Sequence, residues 1–209
     1  MSTKWIVVSG LDGSGKTTLV EDLDCYLTGL GYRVKRDRLP HDHYLVGTLL
    51  DKSTSKYTDR MLFALDNRLF DEELRKWIES DAYDFIITQR GYLDSFVHGA
   101  VQGFSYEFIS KLNRVNELSK CDVMIHLVAE AETAYARIKD DPLADKFEYL
   151  AYIREQESQT RRAYHELMAG NKDLEHFSNA LNIYVDTTQM TTDETFQLTV
   201  KRLKEGDIL

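Results

Sequence analysis

Residues 10–18 read Gly10-Leu11-Asp12-Gly13-Ser14-Gly15-Lys16-Thr17-Thr18 and satisfy the spacing G-x4-G-K-[ST] at every required position. Glycines at 10, 13 and 15 let successive backbone N–H groups turn toward one centre and form an anion cradle. A helix starting at Lys16 and Thr17 adds its free N–H groups and the positive end of its dipole. Lys16 has the reach for the β- and γ-phosphates of a nucleotide, and the Thr17 hydroxyl can ligate Mg²⁺. Asp12, inside the loop, points to the space between a donor and an acceptor, either as a catalytic or Mg²⁺-linked carboxylate or simply as the loop's variable residue. A dianionic acceptor needs fixed cations of its own. Arg38, Arg68 and Arg90 stand near strand ends or on a cleft helix, and the guanidinium fork matches phosphate oxygens bidentately. Phe63 and Tyr92 offer ring faces on which a base can stack.

Such residues need a scaffold that holds a strand, a loop and a helix in line. Apolar, β-branched runs predict strands at Trp5–Ser9, Tyr32–Lys35, Phe85–Thr88, Val123–Val128 and Ile183–Asp186. Between them, helical periodicity covers Thr17–Leu30, Asp59–Ser80, Glu107–Leu118, Glu132–Arg137, Phe147–Met168 and Thr192–Lys204. Near-continuous apolar strands such as Ile6-Val7-Val8 read as buried on both faces. Strand–helix alternation predicts a three-layer α/β domain around a five-stranded parallel sheet, with ligands at the carboxyl ends of the strands. No repeat and no Gly/Ser- or Pro-rich linker divides residues 1–209, which predicts a single domain.

Composition narrows the partners. The chain of 209 residues carries 35 acidic against 26 basic side chains, a net charge of −9. Sequence-independent DNA binding usually shows a basic excess, so this balance disfavours a polymer and suits a small anion held by a few placed cations. No apolar run approaches the ~20 residues of a membrane span, and the first residues lack the pattern of a secretory signal. Cys25 and Cys121 have no paired spacing and read as reduced structural thiols. A cytoplasmic location is expected.

A phosphate loop serves GTPases, motors and kinases alike. The segment after Val123–Val128 reads Ala129-Glu130-Ala131-Glu132 and holds no guanine-reading N-K-x-D. The run Trp5–Thr18 resembles the opening of thymidylate kinases. Arg38-Leu39-Pro40, Phe63-Ala64-Leu65-Asp66-Asn67-Arg68, Gln89-Arg90-Gly91-Tyr92-Leu93-Asp94-Ser95, Gln102-Gly103, Asp145-Lys146-Phe147-Glu148 and Arg161-Arg162-Ala163-Tyr164 are similar to later segments of that family. The resemblance implies a P-loop kinase fold with a short lid at about 137–147. It also implies ATP- and Mg²⁺-dependent transfer of the γ-phosphate to a thymidine- or uridine-like deoxynucleotide. Lys16, Asp12 and Arg90 would be catalytic, Arg38, Arg68, Arg90 and Tyr92 would hold the acceptor, Thr17 would ligate the metal, and a homodimer is expected.

The departures point another way. Gln89 stands where the family has a carboxylate, Asp42 where it has an arginine, and Gly91 separates Arg90 from Tyr92. Asp140 and Asp141 occupy a lid where basic residues would clamp the transferring group, so dTMP is expected to be a poor acceptor. Two alternatives keep the donor site. One phosphorylates a hydroxyl on a modified pyrimidine, such as 5-hydroxymethyluracil in DNA, with Asp42, Asp66, Asp94, His41 or His43 as base. The other is a nucleotide-binding regulatory module without turnover.

Overall fold

A computed structural model describes residues 2–41, 46–140 and 149–209. Its sheet has five parallel strands, β1 (Lys4–Gly10), β2 (Val34–Arg38), β3 (Phe85–Gln89), β4 (Val123–Val128) and β5 (Leu181–Asp186), in the order β2-β3-β1-β4-β5. The helices are α1 (Lys16–Gly29), α2 (Thr48–Lys52), α3 (Lys56–Glu79), α4 (Tyr92–Val101), α5 (Tyr106–Asn113), α6 (Ala131–Ile138), α7 (Leu150–Met168) and α8 (Thr192–Glu205). Among them, no helix is long and apolar enough to cross a membrane.

The central strand shows why the domain has three layers. Successive side chains of β1 alternate between faces, so Trp5 and Val7 join one core while Ile6 and Val8 join the other. The first core takes Phe70 and Leu74 of α3, Leu93 and Phe96 of α4, Ile109 of α5 and Leu167 of α7. The second takes Leu19, Leu23 and Leu27 of α1 with Val200 and Leu203 of α8. The strand order reverses about β1: the chain leaves β1 through α1 on one face and leaves β3 through α4 on the other. The carboxyl ends of these neighbouring strands therefore open into a crevice.

Several elements differ from the expectation, the short α2 at Thr48–Lys52 among them. Strand β2 begins at Val34 and runs to Arg38, because Gly31 and Tyr32 still close the turn after α1. As an edge strand with polar residues, its pairing with Phe85–Gln89 sets the limits that its apolar residues do not. Helix α4 lacked any periodic signal: Tyr92 through Gly99 are all buried, so no polar stripe marks the helix. Helix α5 stops at Asn113, where Arg114 adopts φ 48° and a short 3₁₀ turn follows.

Candidate active site

The phosphate loop is squeezed between neighbours that leave no room for a side chain at Gly10 or Gly13. A Cβ on Gly10 (φ +146°) would lie 2.0 Å from the Leu127 carbonyl oxygen, and one on Gly13 (φ +80°) 2.2 Å from that of Ala134. Only glycine meets both the backbone conformation and the approach. Beside the loop, Arg90 follows β3 with φ +69°, a costly conformation for a side-chain-bearing residue. Its N–H donates to Val8 O at 2.8 Å, which fixes it at the mouth of the crevice.

Three charged groups converge there. Lys16 Nζ donates to Leu11 O at 2.8 Å and to Asp12 Oδ1 at 3.1 Å, and Arg90 Nη2 donates to the same carboxylate oxygen. Burial pushes the Asp12 carboxyl up, but the facing charges of Arg90 and Lys16 outweigh it and hold the group well below the usual carboxylate range. Burial lowers Lys16, partly offset by Asp12. Gln156 of α7 accepts from the Asp12 N–H at 3.4 Å, and its Nε2 stands 3.5 Å from His98 Nε2. On the outer rim, Arg137 of α6 donates to Gly13 O at 3.1 Å and to Thr187 O at 2.9 Å. The exposed Thr17 hydroxyl donates to Gln89 Oε1 at 3.2 Å, leaving its oxygen lone pairs open.

Two hollows meet at this cluster. A cleft of about 800 Å³ runs over Gly13–Thr18 toward Arg137, Thr187 and Thr191. A narrower cavity of about 130 Å³ is walled by Arg60, Phe63, Asn67, Asp94, Ser95 and His98. Asp12, Leu39, Pro40 and Arg90 line both. In the cavity wall, burial raises the Asp94 carboxyl, opposed by the Gly91 N–H at 2.8 Å and by Arg90. Burial pushes His98 down to about 3, so the ring is neutral, and its Nδ1 lies 2.8 Å from the Tyr152 hydroxyl.

Of the residues singled out from the sequence, the structure gathers Asp12, Gly13, Ser14, Gly15, Lys16, Thr17, Thr18 and Arg90 around the cleft. Gly10 and Leu11 are buried behind it, and Leu11 contributes its carbonyl to Lys16. Arg38, exposed at the end of β2, lines the cleft and not the narrower cavity. Two expected acceptor residues stand elsewhere. Arg68 Nη2 donates to Asn113 O at 3.0 Å, Arg114 O at 3.1 Å and Glu117 Oε2 at 3.2 Å, so it caps the carboxyl end of α5. Tyr92 is 2% exposed, packs its ring against Trp5 and donates its hydroxyl to Asp71 Oδ1 at 3.0 Å. Of the lid and the alternative bases, residues 141–147, Asp42 and His43 lie outside the described residues. Asp140 is exposed just beyond α6. Asp66 accepts from the His41 N–H at 2.8 Å.

Helix geometry explains the placement of Arg68. Phe63 lines the cavity, and four residues on, one turn along the same face, stands Asn67. Arg68 is a further step round, roughly 140° from Phe63 at about 100° per residue. The cavity residues not singled out from the sequence, Arg60, Asn67 and His98, sit on α3 and α4, beside Asp94, which was named as a candidate base. The i, i+3, i+4 spacing from Phe63 could have found the first two. His98 needed α4 to be recognised as a helix.

The sequence model of the thymidylate kinase family matches residues 8–187. A probable thymidylate kinase of Methanococcus aeolicus is 28% identical over 99% of this chain and 98% of its own length. The thymidylate kinase of Caldicellulosiruptor saccharolyticus is 32% identical over 71% of this chain and 75% of its own. Among solved structures, the thymidylate kinase of Candida albicans superimposes with a TM-score of 0.70 at 18% identity, covering 99% of this chain and 93% of that one, a likeness of fold.

Proposed function

The chain belongs to the thymidylate kinase family, and from that premise we propose that it transfers the γ-phosphate of ATP to the 5′-phosphate of a thymidine- or uridine-like deoxynucleotide. The observation that carries this reading is the junction of the two hollows at Asp12 and Arg90. A donor lying on the phosphate loop and an acceptor in the narrower cavity would present their phosphates to each other across that pair.

The roles follow from the chemistry of each group. Loop N–H groups and Lys16 bind and orient the donor's phosphates. Arg90, held at the shared wall, reaches an oxygen of the acceptor phosphate and the group in transfer, where negative charge spreads over the equatorial oxygens. An acceptor oxygen attacks the γ-phosphorus, the bond to the β-bridging oxygen breaks, and ADP leaves. A phosphate monoester has its second pKa near ~6, so at neutral pH it brings an oxygen without a proton. No general base is then required, so a neutral Gln89 is compatible with this acceptor.

Mg²⁺ fits the donor set that is present. The Thr17 oxygen and the Gln89 amide oxygen lie together at the foot of the cleft, and among the described residues no group of three or more His, Cys, Asp or Glu side chains could hold a metal ion. Such a site binds the ion largely through the nucleotide's own oxygens, where Mg²⁺ neutralises phosphate charge.

Incubation with radiolabelled ATP and Mg²⁺, with dTMP, dUMP, thymidine, 5-hydroxymethyl-2′-deoxyuridine or base-modified DNA as acceptors, tests the reading. Label in dTDP or dUDP is the expected result. Label only in a hydroxylated pyrimidine, or in none, overturns it.

A further inference from the structure

Gln89 is the last residue of β3 and lines the cleft, beside Arg38 in the sheet register and directly before Arg90. It stands where the family has a carboxylate, and the two groups differ in what they offer a ligand. Gln89 Oε1 accepts from the Thr17 hydroxyl at 3.2 Å. A carboxylate would do the same, spending the hydroxyl proton and leaving the Thr17 lone pairs to the cleft. The rest of the side chain is opposite in character. A carboxylate would add a second acceptor and a negative charge. Gln89 adds Nε2, whose two donors meet no hydrogen-bond partner among the described residues, on a side chain only half-buried. Reversing the amide would aim an oxygen at an anion cradle.

That difference decides how a polyphosphate is held. Ionised phosphate oxygens only accept, so a carboxylate beside them repels unless a cation stands between. An amide N–H donates to them directly, in a charge-assisted bond stronger than a neutral one. Lys16 and the loop N–H groups on one element, and Arg38, Gln89 and Arg90 at the strand ends, give the cleft donors from two sides.

We propose that Gln89 is a phosphate-binding residue for the donor nucleotide, and that this donor in place of a carboxylate makes nucleotide binding nearly independent of Mg²⁺. This rests on the reading of the cleft as the donor site. Thr17 keeps its oxygen lone pairs for the ion. Metal-assisted transfer is therefore untouched, and only the grip on the nucleotide is changed.

Calorimetric titration with a non-hydrolysable ATP analogue, in Mg²⁺ or in EDTA, tests the proposal on wild type, Gln89→Glu, Gln89→Ala and Lys16→Ala, with melting temperatures alongside. Gln89→Glu keeps the shape and the acceptor for Thr17 and exchanges the open donors for charge. Wild-type affinity should change by less than about tenfold between the two conditions, since donors and not the ion hold the phosphates. Gln89→Glu should bind about tenfold or more weakly than wild type in EDTA, the scale of a hydrogen bond to a charged group. In Mg²⁺ it should recover most of that loss as its carboxylate takes up the ion, whereas Gln89→Ala should lose a similar factor in both conditions. Equal binding of wild type and Gln89→Glu in EDTA overturns the proposal, as does a wild-type dependence on Mg²⁺ as steep as that of Gln89→Glu. So does a loss in Gln89→Glu that Mg²⁺ leaves unchanged and that comes with a lowered melting temperature, the mark of a structural role. A loss in Lys16→Ala with none in Gln89→Glu removes this proposal and leaves the donor reading standing. No binding of the analogue to wild type removes both.

Discussion

The cleft over the phosphate loop and the narrower cavity share Asp12 and Arg90, yet they are made of different material. The cleft is a backbone object. Its cradle is one continuous loop, two of its glycines, Gly10 and Gly13, are dictated by contacts at 2.0 and 2.2 Å, and its cation sits four residues from its carboxylate. The cavity is a side-chain object, assembled from α3, α4 and the segment after β2, far apart in sequence. A site made of backbone leaves a contiguous signature. A site made of side chains depends on helix phase, which a single residue's displacement changes.

The largest expected effect tests the donor half. Lys16→Ala should lower kcat by about 10³-fold or more, because a preorganised cation on the transferring phosphates is lost. The melting temperature should hold, since Lys16 reaches toward the cleft and not the apolar core. Near-normal turnover of the variant would break the assignment of the cleft to the donor.

The next effect belongs to the cavity wall. His98 at about 3 and His126 at about 4 are neutral in the fold, against about 6.5 when unfolded. Below pH 6.5 the unfolded chain takes up protons that these rings refuse, so their contribution is lost progressively as pH falls toward 4. The slope is about 1.4 kcal/mol per pH unit for each histidine. Urea unfolding at pH 7 and pH 5 should show the loss, and His98→Asn should show less of it. Identical losses in variant and wild type would contradict a buried neutral ring in that wall.

The smallest effect separates the two arginines of α3. Arg68→Ala should leave kcat/KM for the acceptor within about twofold and reduce stability by about 1 kcal/mol or less, the scale of a part-exposed cap and ion pair. A fall of tenfold or more in kcat/KM, measured with saturating ATP, would return Arg68 to the acceptor.

The limits of the sequence follow the same division. Buried strands at Ile6-Val7-Val8 and Phe85-Ile86-Ile87 were legible because parallel strands covered on both sides must be apolar throughout. The amphipathic α1 and α8 were legible because each has one wet face. Helix α4 was not, since burial on every side erases the period. Edge strand β2 was displaced because its limits come from pairing with β3. At the site, Lys16 and Thr17 could be named from spacing alone. Tyr92 looked like a stacking ring until its place against Trp5 and Asp71 was known.

Asp12 gives the site its own resident anion. With the carboxylate set between Lys16 and Arg90, the junction carries a net of one positive charge instead of two, and it attracts stray anions correspondingly less. A phosphate that reaches Lys16 and Arg90 competes with a carboxylate already paired to both. Entry to the site is in this sense ion exchange, which favours ligands bearing several charges over simple monovalent salts. Asp12 lines both hollows, so a carboxylate displaced by such an exchange would face the boundary between them.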